Sequence, residues 1–124
     1  CIRDSNNSIE SKSTGKKKSY ISDAGKDSIS FFKPIKRLTK STLVEIEIFT
    51  GRTHQIRLQS SNINHPVIND NKYGDHKFNK SNLINNIKRM ALHSYKLNFK
   101  DEDDIFIDIK IEPDDDFMKL VESY

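Results

Sequence analysis

A chain of 124 residues, 34% hydrophobic and 31% charged, has room for one compact domain with one core and too little for two. Its apolar stretches are short pieces such as Phe31-Phe32 and Leu43-Val44, far below the roughly 18 consecutive apolar residues needed to cross a bilayer. The first twenty residues carry charge and serine instead of an apolar run, so neither a membrane span nor a secretory signal is read.

Residues 1–27 are rich in Ser, Lys, Asn, Gly and Asp, and Gly15-Lys16-Lys17-Lys18 reads as a basic loop. This stretch is expected to be an irregular leader ahead of a single unit over 28–124. With Cys1 at its start and no initiator Met, the chain is expected to be cut from something longer or renumbered. Ser28 to Leu38 carries Ile29, Phe31, Phe32 and Ile35 and reads as a strand; Pro34 within it removes a ladder donor and demands a bulge or a sheet edge. Thr42 to Phe49 is the clearest strand, with Val44, Ile46 and Ile48 on an expected core face and Glu45 and Glu47 on an expected wet face. Thr50-Gly51 breaks it, and Thr53 to Ser61 predicts a short helix through Ile56 and Leu58.

Asn62 to Asp75 is turn-rich, and Lys80 to Arg89 predicts another helix through Leu83, Ile84 and Ile87. Leu92 to Phe99 and Ile105 to Ile111, joined by the acidic connection Lys100 to Asp104, read as a hairpin. Pro113 and three aspartates open a last helix whose Phe117, Leu120 and Val121 fall at i, i+3 and i+4. These elements predict an α+β fold: a mainly antiparallel, mixed sheet with a few short helices.

Charge is distributed unevenly. Residues 1–100 hold 19 basic and 8 acidic side chains, and residues 101–124 hold 2 and 10. A basic body suits a phosphate-rich partner, although 16 of the 21 basic residues are Lys in a chain rich in Ile, Asn and Ser, a bias that an A+T-rich genome also produces. The single Cys1 excludes an internal disulfide or a thiolate metal cage and fits a reducing cytosol, hence a cytoplasmic location.

The segment Thr50-Gly51-Arg52-Thr53-His54-Gln55-Ile56-Arg57 sets two guanidinium groups, an imidazole and an amide directly after a strand, where functional groups are commonly mounted. Arg57 can turn inward, where its planar fork needs a carboxylate or phosphate; alternatively both arginines are ordinary surface groups. His54, His65, His76 and His93 lack metal-ligand spacing, so no metal is expected. His54 is expected to hydrogen-bond backbone near the turn, His65 before Pro66 reads as a turn residue, Tyr73 as a packed tyrosine, and Asp114 to Asp116 as a helix cap. Ser60 and Ser61 have no neighbouring base to activate them.

Gly51-Arg52-Thr53-His54-Gln55-Ile56-Arg57, followed by His65-Pro66-Val67-Ile68, Asp70, Tyr73-Gly74-Asp75 and Leu92-His93, resembles the C-terminal half of the RluA-type pseudouridine synthases, most closely the RluC branch that modifies large-subunit ribosomal RNA. The resemblance runs from about Gly25 to Tyr124, with Gly25-Lys26, Phe32 and Lys33 resembling its first strand. One departure is small: the family's Phe-x-His-Pro after the Leu-His strand is replaced by Phe99-Lys100-Asp101. The larger one is that the family's His-Arg-Leu-Asp-x-x-Thr-Ser-Gly segment, which carries the catalytic aspartate, does not occur in these 124 residues.

The resemblance implies part of the pseudouridine synthase catalytic fold and its chemistry. The target uridine is flipped out, an aspartate assists cleavage between ribose and N1, the uracil rotates, and it is rejoined through C5 without cofactor or metal. It implies that Arg57 pairs with that aspartate, supplied by the missing N-terminal half of the catalytic domain. Leu92 is implied to pack near the flipped base, and Arg52 with Lys16, Lys17 and Lys18 is read as holding phosphates of ribosomal RNA. The expected function is therefore the C-terminal part of a ribosomal RNA pseudouridine synthase, inactive alone. The alternatives are a non-catalytic RNA-binding module and a degenerate gene remnant. With the sheet's continuation in the missing half, an apolar edge is expected to be bared.

Overall fold

Antiparallel strands and three short helices make up the computed structural model, which describes residues 2–3, 17–23 and 26–124. Strands β1 (Ile2–Arg3), β2 (Lys17–Asp23), β3 (Lys26–Arg37) and β4 (Ser41–Ile48) form one sheet in the order β1-β4-β3-β2. Helices α1 (Gln55–Asn62) and α2 (His76–Ser81) follow, then the hairpin β5 (Lys96–Lys100) and β6 (Phe106–Lys110), and helix α3 (Asp115–Ser123). The α+β class expected from the sequence holds, and no helix among the described residues is long and apolar enough to cross a membrane.

Pro34 acts as its chemistry requires. Pro34 pairs with Val44 but Lys36 pairs with Leu43, so Ile35 is the extra residue of a bulge and points half into water. The stretch 1–27, expected to be irregular, contains β2, which pairs along seven positions of β3 from Lys17↔Phe32 to Asp23↔Lys26. The pairing is set by the neighbouring strand and not by β2's own composition, which is too polar to reveal it. Lys17 and Lys18 therefore lie on a strand opposite Phe32 and Phe31, and Lys16 lies outside the described residues.

Two further expectations are corrected. On β4 the presumed core face thins out, with Val44 and Ile46 half-buried and Ile48 half-exposed. The presumed wet face is partly covered at Glu45, which accepts a hydrogen bond from the Tyr95 hydroxyl. The helix expected over 80–89 lies earlier, over His76–Ser81. Asp75 caps it by accepting from the Phe78 amide, whereas Asn85 and Asn86 take left-handed backbone angles that end any helix there.

Helix α3 closes the core. Asp114 accepts from the Phe117 amide at its N-cap, and Phe117, Leu120, Val121 and Tyr124 pack against Ile68, Ile87 and Ala91, with Leu38, Leu43, Phe78 and Ile84 at the margin. Tyr124 ties the end down, its hydroxyl donating to the Asn82 carbonyl while its own carbonyl accepts from Lys40 N–H. The hairpin is one-sided. Leu97 faces Ile109 and Phe99 faces Ile107 on one surface, and of these Leu97, Phe99 and Ile109 stay at least 44% exposed.

Candidate functional site

Helix α1 is mounted on the sheet by glutamines. Buried Gln55 uses its whole amide: Oε1 accepts from Thr50 Oγ1 and from Arg52 N–H, and Nε2 donates to the Ile29 carbonyl and to Ser30 Oγ. One turn on, Gln59 Nε2 donates to the Ser28 carbonyl. The polar motif after β4 is thus in part a latch between helix and strand, which fixes the direction in which the first turn of α1 projects its other side chains.

Between the two glutamines α1 carries Arg57, and its guanidinium turns inward. Nε donates to Asp70 Oδ2 and Nη2 to Asp70 Oδ1, both at 2.7 Å. The Arg57 side chain is 18% exposed and that of Asp70 is 0% exposed. Asp70 Oδ1 also accepts from the amides of Lys72 and Tyr73, so this carboxylate is held by four donors, two of them backbone. The Arg57 bonds, with help from these two amides, hold the Asp70 carboxyl far below the usual carboxylate range against the opposing effect of burial. The same hydrogen bonding pushes the Arg57 guanidinium above its ordinary value.

The turn that presents Asp70 is built for close approach. A Cβ placed on Gly74 would sit 2.2 Å from the Asp70 carbonyl oxygen, so only glycine lets the chain fold back under this carboxylate. Buried Asn69, in a left-handed conformation, donates from Nδ2 to the carbonyls of Ile87 and Arg89 and pins the turn to the core side. Tyr73 completes the cluster: Arg57 Cζ lies 5.1 Å from its ring centroid. His54, itself left-handed at φ 53, brings Nδ1 to 3.2 Å from the Tyr73 hydroxyl.

The guanidinium is therefore constrained along one edge and against one face. Its Nε and one N–H of Nη2 are spent on Asp70, and no described residue accepts from Nη1. What remains is a second planar fork, Nη1 with the outer N–H of Nη2, able to take another oxyanion end-on.

The other sequence-derived candidates lie apart from this arrangement or are silent about it. Arg52 is exposed, and its backbone is engaged with Gln55. Leu92 is half-buried in the segment before β5, its amide donating to the Met90 carbonyl. His65 is buried, and His93 Nε2 lies 3.0 Å from the Ile111 carbonyl. In the sequence Asp70 is only one point of a motif, and Tyr73 reads as a packed residue. The signal available was an aspartate two residues after the apolar Val67-Ile68, close enough to a buried stretch that a carboxylate there needs a partner.

A family model described as RNA pseudouridylate synthase matches residues 3–62. Similar curated proteins include an uncharacterized RNA pseudouridine synthase of Helicobacter pylori (strain J99), 39% identical over 84 residues, which are 68% of this chain and 32% of that protein. Ribosomal large subunit pseudouridine synthase C of Buchnera aphidicola subsp. Baizongia pistaciae is 44% identical over 82 residues, 64% of this chain and 25% of the relative. Its namesake in Haemophilus influenzae is 36% identical over 88 residues, 71% and 27% of the two chains. The chain thus spans about a quarter to a third of the length of the curated relatives it matches.

Proposed function

The chain, by residues 3–62 and by its RluC-type relatives, belongs to the RNA pseudouridylate synthase family, and from that premise we propose that it forms the C-terminal part of the catalytic domain of a large-subunit ribosomal RNA pseudouridine synthase. The activity is an isomerisation, uridine to pseudouridine, in which no atom of the base is gained or lost. The observation that carries this reading is Arg57: an inward guanidinium whose inner edge is anchored within the chain and whose outer fork is left for a further anion.

In this reading the outer fork of Arg57 receives the catalytic carboxylate and keeps it ionised and oriented toward the ribose carbon, because an opposite charge at hydrogen-bond distance favours the anion. The aspartate motif does not occur in the 124 residues, so the carboxylate comes from another stretch of polypeptide, and these residues by themselves make no pseudouridine. Arg52 and the lysines at 16–18 hold RNA phosphates, and Leu92 packs beside the flipped base. In this reading the work is done in the cytoplasm.

Pseudouridine mapping on large-subunit ribosomal RNA tests the proposal, with the chain alone and then mixed with the aspartate-bearing segment of an RluC-type relative. Product is expected only in the mixture, and Arg57→Ala is expected to abolish it with little loss of RNA affinity. Replacing Lys16, Lys17 and Lys18 is expected to weaken RNA affinity and leave turnover at saturating RNA intact. Product from the chain alone overturns the assignment of the carboxylate to another segment. Salt-sensitive RNA binding with no product in either case favours a binding module instead.

A further inference from the structure

We propose that Asp70 is a positioning residue for the isomerisation: it takes the Arg57 guanidinium side-on and, with Tyr73 against one face, fixes the outer fork in the one orientation that receives the reactive carboxylate. This rests on the reading of Arg57 given above and adds a residue to it.

Three observations converge on Asp70. Its carboxylate is fully buried yet serves no substrate-facing surface, so its position is explained by what it holds. Both oxygens reach Arg57 at 2.7 Å, and they do so through Nε and Nη2; this side-on mode leaves the end-on fork, Nη1 with the outer N–H of Nη2, as the direction from which a second carboxylate is received. Finally, the carboxylate is fixed to its own backbone by the amides of Lys72 and Tyr73, and Gly74 permits the tight fold that delivers them. Arg57 is thus referred to a rigid turn instead of to its own four rotatable side-chain bonds. A reactive group held this way loses little orientational freedom when the second carboxylate docks.

Asp70→Asn is the informative change. It keeps size and one oxygen for the Tyr73 and Lys72 amides, but its amide nitrogen cannot accept from Arg57. Two measurements decide. In the 124-residue chain, hydrogen exchange of the Arg57 Nε–H, followed by 15N NMR and assigned through Arg57→Lys, is expected to be slower than that of exposed Arg52 by about tenfold or more, as for a charge-assisted bond. Asp70→Asn is expected to remove that difference. In the mixture with the aspartate-bearing segment, Asp70→Asn is expected to lower kcat by about tenfold to a hundredfold with KM for RNA within about twofold, the pattern of a misplaced group and not of a lost binding contact.

Equal exchange of Arg57 and Arg52 in the unaltered chain overturns the proposal, and this comparison holds even where the variant fails to fold. Protection that survives in Asp70→Asn overturns it as well, as does an unchanged kcat. Full turnover by Arg57→Lys is a different failure: it removes the assignment of Arg57 and leaves the side-on anchoring standing.

Discussion

Two arginine–aspartate pairs found among the described residues, Arg57–Asp70 and Arg89–Asp114, are made different objects by their surroundings. Arg57 and Asp70 meet through two bonds on the inner side of α1, with the carboxylate wholly out of water. Arg89 and Asp114 meet through one bond of 2.9 Å at the start of α3, with the aspartate side chain 55% exposed. The outer pair is an accessory: Asp114 is already employed as the helix cap, and Arg89 also donates to the Met90 carbonyl and lies over the Phe117 ring. The Asp70 carboxylate of the inner pair has no water to fall back on. Identical chemistry therefore marks a surface brace in one region and a fixed piece of site geometry in the other.

Breaking the inner pair has the largest expected effect. Asp70→Ala leaves a mostly buried guanidinium and two turn amides without acceptors and is expected to lower the unfolding free energy by about 3 kcal/mol, read from urea titration. Acid sharpens the contrast next. Asp70 and Asp114 are both held below their ordinary values, Asp70 chiefly by Arg57 and Asp114 chiefly by the Phe117 amide. Each then contributes stability that is complete above about pH 4 and declines as the pH falls toward its folded value. The acid loss of stability is expected to be shallower in Asp70→Asn than in the unaltered chain, and only slightly changed in Asp114→Asn.

Removing the outer groups completes the series. Asp114→Ala takes away the cap of α3 and is expected to lower the melting midpoint by a few degrees, clearly less than Asp70→Ala, with helical circular dichroism falling in step. Arg89→Ala is expected to be the mildest, costing about 1 kcal/mol or less and shrinking further in high salt. An effect of Arg89→Ala equal to that of Asp70→Ala would erase the distinction between the two pairs.

Local rules made much of the framework legible. The Pro34 bulge, the break at Thr50-Gly51, the hairpin around 101–105 and the buried stripe of α3 follow from proline geometry, turn chemistry and periodicity acting within a few residues. The strand Lys17–Asp23 was not legible, because its pairing is dictated by β3 and its own residues are polar. The displaced helix has a similar cause: Leu83, Ile84 and Ile87 have the spacing of a helix, but Asn85 and Asn86 adopt left-handed angles while Asn69 captures the Ile87 and Arg89 carbonyls from a distance. At the site, the motif drew attention to Arg57 and left its acid partner unspecified. A contact across thirteen residues and a turn depends on how close Gly74 lets the backbone approach.

The way Asp70 is held also restricts how this pair can drift between related sequences. Exchanging the two charges, acid at 57 and base at 70, conserves the attraction but sets an arginine against the Lys72 and Tyr73 amides, which need an acceptor. Each single replacement leaves the other member without its partner, and the double reversal leaves the two turn amides without an acceptor, so charge inversion costs stability at every step. The polarity of this pair is thus written into the main chain.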